Sequence, residues 1–362
     1  MTCSPTIDKA RQRLGSEPLE ALFKRTCRPL ATSATTGAHH RGWRLVSMDG
    51  TVLDVPDTPS NLAAFGRHRS GRGDAAFPQI RLVALAGCGT HAMFAASTGA
   101  SSDGENTVAA PLAASVGPGM VVLADRGLGG SYELFGELAE RGAELVWRAR
   151  SNAVLPVAER LDDGSFRSEP SATKERAARA VRVVEHEVDD PGRLQAEDRT
   201  YRLATTILEP ERAPATDLAG LYAERWEFET ALDELKAHQR GPRIVLRPKT
   251  GDGVYHEAWG RLCVHHAIRA LMCRAAEEKS IDPDRLSFTR SLRAARRSVR
   301  RSVDDLAAGL SHATAEILHE LVPNRRLRAN PRVVRPKMRN FAVKRPEQGP
   351  AGAEGDARRA GP

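Results

Sequence analysis

The sequence lacks the features of a membrane-bound or secreted protein. No apolar run approaches the roughly 18 residues needed to cross a bilayer, and the opening MTCSPTIDKARQRLG has no apolar segment of the kind found in signal peptides. The five cysteines are an odd number without the spacing of a disulfide framework, which favours reduced thiols. We therefore expect a soluble, cytoplasmic protein.

Lysine is also scarce: most of the 54 Lys and Arg residues are arginine. The net charge of +8 predicts a polyanionic partner. Arginine can bind phosphate oxygens through two parallel hydrogen bonds, so the bias fits a nucleic acid, although a GC-rich genome would produce it too. With 41% apolar residues, the 362-residue chain can build a full hydrophobic core.

The first half of the chain predicts a mixed sheet with helices packed against it. Residues 1–42 contain a short helix, at about 16–26, followed by a polar linker. Residues 43–150 are rich in strand patterns. The predicted elements are a hairpin of 43–49 and 51–55 about Gly50, a second hairpin of 77–87 and 91–99, a helix over 103–116, a buried strand within 119–127, a helix over 131–142 and a strand over 143–150.

The second half changes character twice. Residues 151–211 read as short strands separated by polar turns, which predicts a β insertion. Residues 212–322 have mainly helical patterns from Asp217 onwards, with a break over 238–253. Residues 323–362 form a basic tail. Between Asn324 and Arg345 it holds nine Arg/Lys and no acidic residue, and its composition predicts disorder.

Two carboxylates stand at the ends of predicted strands. Asp49 ends the first strand, and Asp125 follows the apolar run MVVLA. If the two strands are neighbours in one sheet, their tips lie within several Å of each other. Taken singly, each aspartate could instead cap a turn before Gly50 or Gly127.

A third carboxylate lies in the segment YAERWEFETALDELK, residues 222–236. Spaced by three, four and seven positions, Tyr222, Arg225, Glu229 and Lys236 would share one stripe of a helix. Glu229 alone could equally be a solvated helix residue. Three converging acids would repel one another unless cations were present, and Mg²⁺ prefers hard oxygen ligands.

This combination resembles the DDE transposases with an RNase H-like catalytic core, specifically the insertion-sequence-four family. That family carries Tyr-x2-Arg-x3-Glu-x6-Lys on the helix bearing its third acid, and the chain matches all four positions. Asp49 in VSMDGT and Asp125 in VLADRG resemble its first two acids. The resemblance implies an α/β fold: an RNase H-like mixed sheet with flanking helices, a β-strand insertion between the second and third acidic residues, and a helical C-terminal part.

The resemblance also implies roles for these residues. Asp49, Asp125 and Glu229 would be catalytic and would ligate Mg²⁺, for which Mn²⁺ can substitute. Contacts to the phosphates and terminal bases of the transposon end would come from Tyr222, Arg225, Lys236 and Arg126. The implied function is cut-and-paste DNA transposition in bacteria: metal-dependent cleavage and strand transfer at insertion-sequence ends. The implied partners are terminal inverted repeats and target DNA, bound by a homodimer in the nucleoid.

Two alternatives stay open. Family members usually carry a longer N-terminal region that recognises the transposon end, whereas only 48 residues precede Asp49. Residues 1–42 would then be a remnant of that region, and the chain could be a truncated DNA-binding protein that no longer transposes. The second alternative is an RNase H-like nuclease that cleaves DNA without joining it.

Two further features fit DNA. The segment 285–301 contains seven arginines and no acid, and as a helix it would align four of them on one side: Arg290, Arg293, Arg297 and Arg301. A DNA-facing stripe or a solvated face would both explain them. A flipped base would need an aromatic platform, for which Trp147, Tyr201 and Trp226 are candidates, although each also suits a core.

Overall fold

A computed structural model describes residues 5–70, 73–128, 131–169, 179–187, 200–239, 245–301 and 305–323. The predicted basic tail lies outside the described residues from residue 324 onwards, so its disorder stays a prediction. Among the described residues, no helix is long and apolar enough to cross a membrane.

A ten-stranded mixed sheet forms the centre of the molecule. The strands in chain order are β1 (His39–His40), β2 (Trp43–Asp54), β3 (Arg69–Ser70), β4 (Gly73–Asp74), β5 (Gln79–Gly87), β6 (Met93–Ala100), β7 (Met120–Ala124), β8 (Glu144–Arg148), β9 (Glu159–Arg160), β10 (Phe166–Ser168), β11 (Val181–Glu187) and β12 (Thr200–Thr205). Strands β3 and β4 form a separate two-stranded sheet.

The order of strands confirms the predicted RNase H-like sheet. It runs β6-β5-β2-β7-β8-β12-β11-β10-β9, and β1 pairs with β2. The β6-β5-β2 strands are antiparallel neighbours, whereas β2-β7 and β7-β8 are parallel pairs. The inserted strands β9 to β12 continue the same sheet in antiparallel order beyond β8. The insertion therefore extends the central sheet.

Helices cover both faces of the sheet. They are α1 (Pro5–Leu14), α2 (Glu17–Thr26), α3 (Pro59–Phe65), α4 (Glu105–Ala109), α5 (Tyr132–Glu140), α6 (Ala215–Ala223), α7 (Trp226–Asp233), α8 (Gly251–Glu278), α9 (Phe288–Arg301) and α10 (Leu306–Leu318). A 3₁₀ segment, Ala110–Ser115, extends α4, and a π-helical turn, Glu234–His238, extends α7.

Alternation along the strands separates the two core layers. In β7, Val122 and Ala124 pack in the layer that contains α4 and α5. Val121 and Leu123 point the other way, into the layer that contains α6. Farther along this second face, α7 and α8 pack with α2 over β5 and β6. Apolar runs buried on both faces are typical of central parallel strands.

The predicted hairpin about Gly50 is wrong. β2 runs without interruption from Trp43 to Asp54, and its pairing with β5 continues through Gly50, which lies opposite Val83. The glycine has another use. An ideal Cβ at Gly50 would overlap Oε1 of Glu105 and lie 3.0 Å from its Cδ. The absent side chain therefore makes room for a carboxylate from α4.

The segment 222–236 is also not one regular helix. α6 ends at Ala223, two residues of turn follow, and α7 starts at Trp226. Lys236 lies in the π-helical turn after α7. A stripe calculated for a single α-helix therefore does not describe these four residues, and tertiary contacts must decide which of them meet.

The N-terminal residues pack on the core. The helix predicted near 16–26 is α2, where Phe23 is fully buried against Trp259 with ring centroids 5.5 Å apart. In the predicted linker, Ala38 is buried and β1 pairs with β2.

Candidate active site

Strand pairing brings Asp49 and Asp125 together. Met48 lies opposite Ala124 in the parallel β2-β7 pair, so the next residue on each strand is an aspartate. Asp125 leaves the end of β7, and its Oδ1 accepts hydrogen bonds from the amides of Gly127 (2.7 Å) and Leu128 (3.4 Å). The expected turn at Gly127 therefore exists, and it orients this carboxylate at the tip of the sheet.

Arg225 connects the sheet to Glu229. Its Nη1 donates to Asp49 Oδ2 at 3.3 Å, and its Nη2 donates to Glu229 Oε1 at 3.4 Å. The Arg225 side chain is 10% exposed, whereas that of Glu229 is 41% exposed. A single guanidinium thus contacts the first and third predicted acids, and the second acid adjoins the first across the strand pair. The structure brings Asp49, Asp125 and Glu229 to one place.

The acids of this cluster are electrostatically strained. Burial, and after it the neighbouring Asp125 carboxylate, raise the pKa of Asp49 to about 7, although the Gly50 amide and Arg225 oppose the shift. Desolvation disfavours the charged form of an acid, and a like charge adds to that penalty. A positive charge placed among these oxygens would relieve both effects.

A fourth acid, Glu105, joins the group, although its sequence context reads only as a helix start. Glu105 is the first residue of α4, on the opposite face of the sheet from α7. An ideal Cβ at Gly127 would lie 2.9 Å from Asp125 Oδ1 and 3.1 Å from Glu105 Oε2, so these two oxygens flank one point. Burial raises the pKa of Glu105, and Asp125 raises it further, while Arg81 opposes the shift.

This cluster fits a hard divalent cation. Its donors are carboxylate oxygens, the ligand type that Mg²⁺ and Mn²⁺ prefer. The room that these oxygens occupy exists because Gly50 and Gly127 have no side chain, since a Cβ at either position would meet Glu105. The donor set suits a divalent ion.

The other three residues predicted to contact DNA, Tyr222, Lys236 and Arg126, differ in burial and position. Tyr222 is buried, and burial raises the pKa of its phenol to about 12. Its ring lies edge-on to Tyr201, with centroids 6.2 Å apart. Lys236 is half-buried in the π-helical turn, and Arg126 follows Asp125 at the sheet tip.

The three aromatic candidates also differ. Trp147 is buried in the core beneath Phe135, with its ring perpendicular to that of the phenylalanine. Tyr201 is buried under the guanidinium of Arg148, which stands 3.6 Å from the ring centroid. Trp226, the first residue of α7, is half-buried, and the guanidinium carbon of Arg225 lies 5.0 Å from the centroid of its ring.

The arginine stripe lies on α9, as predicted. Two of its members already contact acids: Arg290 pairs with Glu320 and Arg297 pairs with Glu316. The side chain of Arg301 lies outside the described residues. DNA would have to compete with these acids for the two arginines, and the stripe stays a prediction.

A buried polar network fastens the end of α7. Glu234 accepts from Arg269 Nε at 2.9 Å and lies 3.1 Å from His265 Nε2. Arg269 also donates to His91 Nδ1 at 2.6 Å. Because α8 carries Arg269 and His265, this network fixes α7, and with it Glu229, to the core.

A second group of possible ligands adjoins the network. One ligand atom each from His91, Glu227 and Asp284 lie within 4.8 Å of one another. The Gly89 amide donates to Glu227, so the group also connects α7 to the turn between β5 and β6.

Comparisons with known proteins identify the family of the chain. A family model described as a transposase DDE domain matches residues 41–266, more than half of the chain. The Escherichia coli K12 transposase InsG for insertion sequence element IS4 is 29% identical over 344 residues, covering 91% of this chain and 76% of InsG. A second relative from the same strain, InsZ, is 29% identical over 142 residues, covering 39% of this chain and 47% of InsZ.

A solved structure of the piggyBac transposase synaptic complex with hairpin DNA is also similar. The TM-score is 0.45 and the sequence identity is 14%, with 88% of this chain and 65% of the piggyBac chain covered.

Proposed function

Since the chain belongs to the transposase DDE domain family, we propose that it cleaves and joins DNA as a transposase acting at insertion-sequence ends. One observation carries the proposal: Arg225 contacts both Asp49 and Glu229, and strand pairing puts Asp125 next to Asp49. The resemblance expected from the Tyr-x2-Arg-x3-Glu-x6-Lys motif is confirmed by the family match and by the similarity to InsG.

Asp49, Asp125 and Glu229 would hold the divalent ions, Mg²⁺ in the cell and Mn²⁺ as a substitute. Bound there, such ions lower the pKa of an attacking water or hydroxyl and stabilise the leaving oxygen. The chain itself supplies a largely buried position for the Asp49 carboxylate, the β2-β7 strand pair that positions Asp49 and Asp125, and α7, which carries Glu229.

Arg225 would act on the phosphate. Its guanidinium can bind phosphate oxygens bidentately and already contacts Asp49 and Glu229. Lys236 and Arg126 would add point charges along the transposon end, and Tyr222 would support Arg225 from beneath, with its ring centroid 5.9 Å from the guanidinium carbon. Trp226 is the aromatic candidate for stacking on a displaced base.

The DNA surface would extend to α9. Four arginines of this helix would follow the DNA backbone: Arg290, Arg293, Arg297 and Arg301. Arg290 would leave Glu320 and Arg297 would leave Glu316 to bind phosphates. Binding through four such contacts would depend strongly on salt. The partners would be terminal inverted repeats and target DNA, held by a homodimer.

A duplex oligonucleotide that carries the element's terminal repeat tests the proposal. The full chain is incubated with it in Mg²⁺ or Mn²⁺, and the products are separated on a denaturing gel. Nicking followed by joining of the freed 3′ end is the expected result. Nicking without joining would indicate a nuclease, and binding without nicking would indicate a remnant; either outcome would contradict the proposal.

A further inference from the structure

Glu105 lies on the far side of the sheet from Glu229 but reaches the same metal-binding region. α4 packs on one face of the sheet with Val108 and Ala109, while α7 packs on the other face with Phe228 and Ala231. Side chains alternate along β2, so Asp49 points towards α7 and Gly50 faces α4. The carboxylate of Glu105 occupies the place where a side chain at Gly50 would stand.

The two oxygens of Glu105 have different surroundings. Oε1 fills the space over Gly50, and Oε2 lies beside Gly127, 3.1 Å from the ideal Cβ position. Asp125 Oδ1 lies 2.9 Å from that same position. The carboxylate therefore lies between β2, which carries Asp49, and the turn after β7, which carries Asp125.

Burying this carboxylate beside two others costs free energy unless something compensates it. Three acids at close range repel at low dielectric, and the groups that oppose this include Arg225, in the turn before α7, and Arg81 on β5. Arg81 is also occupied by the carbonyl of Ser101, to which it donates at 3.3 Å. Two arginines can neutralise only part of the negative charge of the four carboxylates, Asp49, Asp125, Glu229 and Glu105. A bound divalent cation would offset the repulsion that is left.

We propose that Glu105 is a fourth carboxylate of the divalent-metal site, contributing to ion binding together with Asp49 and Asp125. This inference rests on the proposed function, because it concerns the same ions. It gives a reason for the absence of a side chain at Gly50 and at Gly127, where a Cβ would meet Glu105.

Two variants test Glu105 in different ways. Glu105→Gln removes the charge but keeps the shape. Gly50→Ala keeps the charge of Glu105 but forces its carboxylate away, because the new methyl group would occupy the place of Oε1. The carboxylate can move, since it is the end of a flexible side chain. Gly50 lies in a regular strand, where alanine is tolerated. Glu137→Gln on the exposed face of α5 serves as the matched control, and Asp125→Asn as the variant that disrupts the site.

The measurements are Mn²⁺ binding by titration calorimetry and thermal unfolding in EDTA and in MnCl₂, both without DNA. Cleavage of the end duplex is measured in parallel. Glu105→Gln and Gly50→Ala should each weaken Mn²⁺ binding about tenfold or more. Both should lose most of the Mn²⁺-induced rise in Tm, because that rise follows ion occupancy. In EDTA, Glu105→Gln should melt at the wild-type temperature or above it, since a repelling charge is gone. Glu137→Gln should match the wild type throughout.

The outcomes separate this inference from the proposed function. If Asp125→Asn loses Mn²⁺ binding and cleavage while Glu105→Gln and Gly50→Ala keep wild-type affinity, the inference is overturned and the transposase proposal stands. If the wild type neither binds Mn²⁺ nor cleaves the duplex, both fail. Should Glu105→Gln not fold, Gly50→Ala, which retains every charge, decides the question.

Discussion

Arg225 and Asp49 meet through a hydrogen bond of 3.3 Å although 176 positions separate them in the chain. The contact joins the turn between α6 and α7 to β2, and the same guanidinium also reaches Glu229. An arginine is thus held among acids that are expected to bind cations. Its positive charge offsets the negative charge of the acids in the metal-free protein, and under the proposed function it would be available to a phosphate of bound DNA.

Replacing Arg225 by glutamine should separate these two roles. Cleavage of the end duplex should fall about 100-fold or more, the usual cost of losing a preorganised electrostatic contact. Mn²⁺ affinity without DNA should not decrease, because a cation beside the ligands has been removed. Gel-based cleavage rates and calorimetry measure the two effects, with exposed Arg274→Gln as the control. A parallel loss of Mn²⁺ affinity would show that Arg225 only holds the acids in place.

Replacing Glu229 by glutamine should abolish cleavage and leave DNA binding nearly unchanged. The substitution removes a metal ligand and one negative charge while conserving the size of the side chain. Cleavage gels and an electrophoretic mobility shift assay distinguish the two activities. Asp233→Asn, an exposed residue on the same helix, should behave as the wild type. Retained cleavage in Glu229→Gln would remove this residue from the metal site.

The raised pKa of Asp49 predicts an unusual pH dependence of metal-free stability. The ordinary value is 3.8 and the folded value is about 7, so the unfolded chain ionises first. The stability that neutral Asp49 contributes is complete below pH ~4 and disappears as the pH rises to ~7. Asp49→Asn cannot ionise, so its advantage over the wild type in EDTA should grow by about 1.4 kcal/mol per pH unit across that window and then level off. Urea unfolding at a series of pH values measures it, and a pH-independent difference would contradict it.

The buried network behind α7 should matter for stability. Burial alone would raise the pKa of Glu234, but Arg269 and the hydrogen bond from His265 outweigh it and hold that pKa well below its usual value. Glu234→Gln leaves Arg269 without its buried counter-charge and should lower the free energy of unfolding by about 3–5 kcal/mol. Exposed Glu278→Gln should change it by less than about 0.5 kcal/mol. Equal effects of the two substitutions in urea denaturation would refute a structural role for the network.

Sequence patterns predicted the mixed sheet and the strands that carry Asp49 and Asp125, although not the continuous strand through Gly50. An apolar run that ends in a charge, as before Asp125, is typical of a central strand. Its parallel pairing with β2 puts Asp125 next to Asp49, but Asp49 lies inside β2 and not at the strand end that the sequence predicted. The alternating strands after residue 151 likewise predicted the insertion. What they could not show was that its strands extend the same sheet, because pairing between β8 and β12 depends on contacts that are distant in sequence.

Glu105 and Gly50 mark the limit of such reasoning. A glycine after an aspartate reads as a turn, and a glutamate after Ser-Asp-Gly reads as a helix start. Only the packing of α4 over β2 reveals that each residue accommodates the other. The irregular path from Tyr222 to Lys236 is similar, since the spacing of four residues cannot distinguish a regular helix from one with a turn at Arg225 and a π-helical end.

The most direct test of the account is anomalous diffraction from crystals of the full chain soaked in MnCl₂. A manganese peak should lie within about 2.5 Å of carboxylate oxygens of both Asp49 and Asp125, with Glu229 on one side of the sheet and Glu105 on the other. A peak confined to the group of His91, Glu227 and Asp284, at a Mn²⁺ concentration that supports DNA cleavage, would contradict the account.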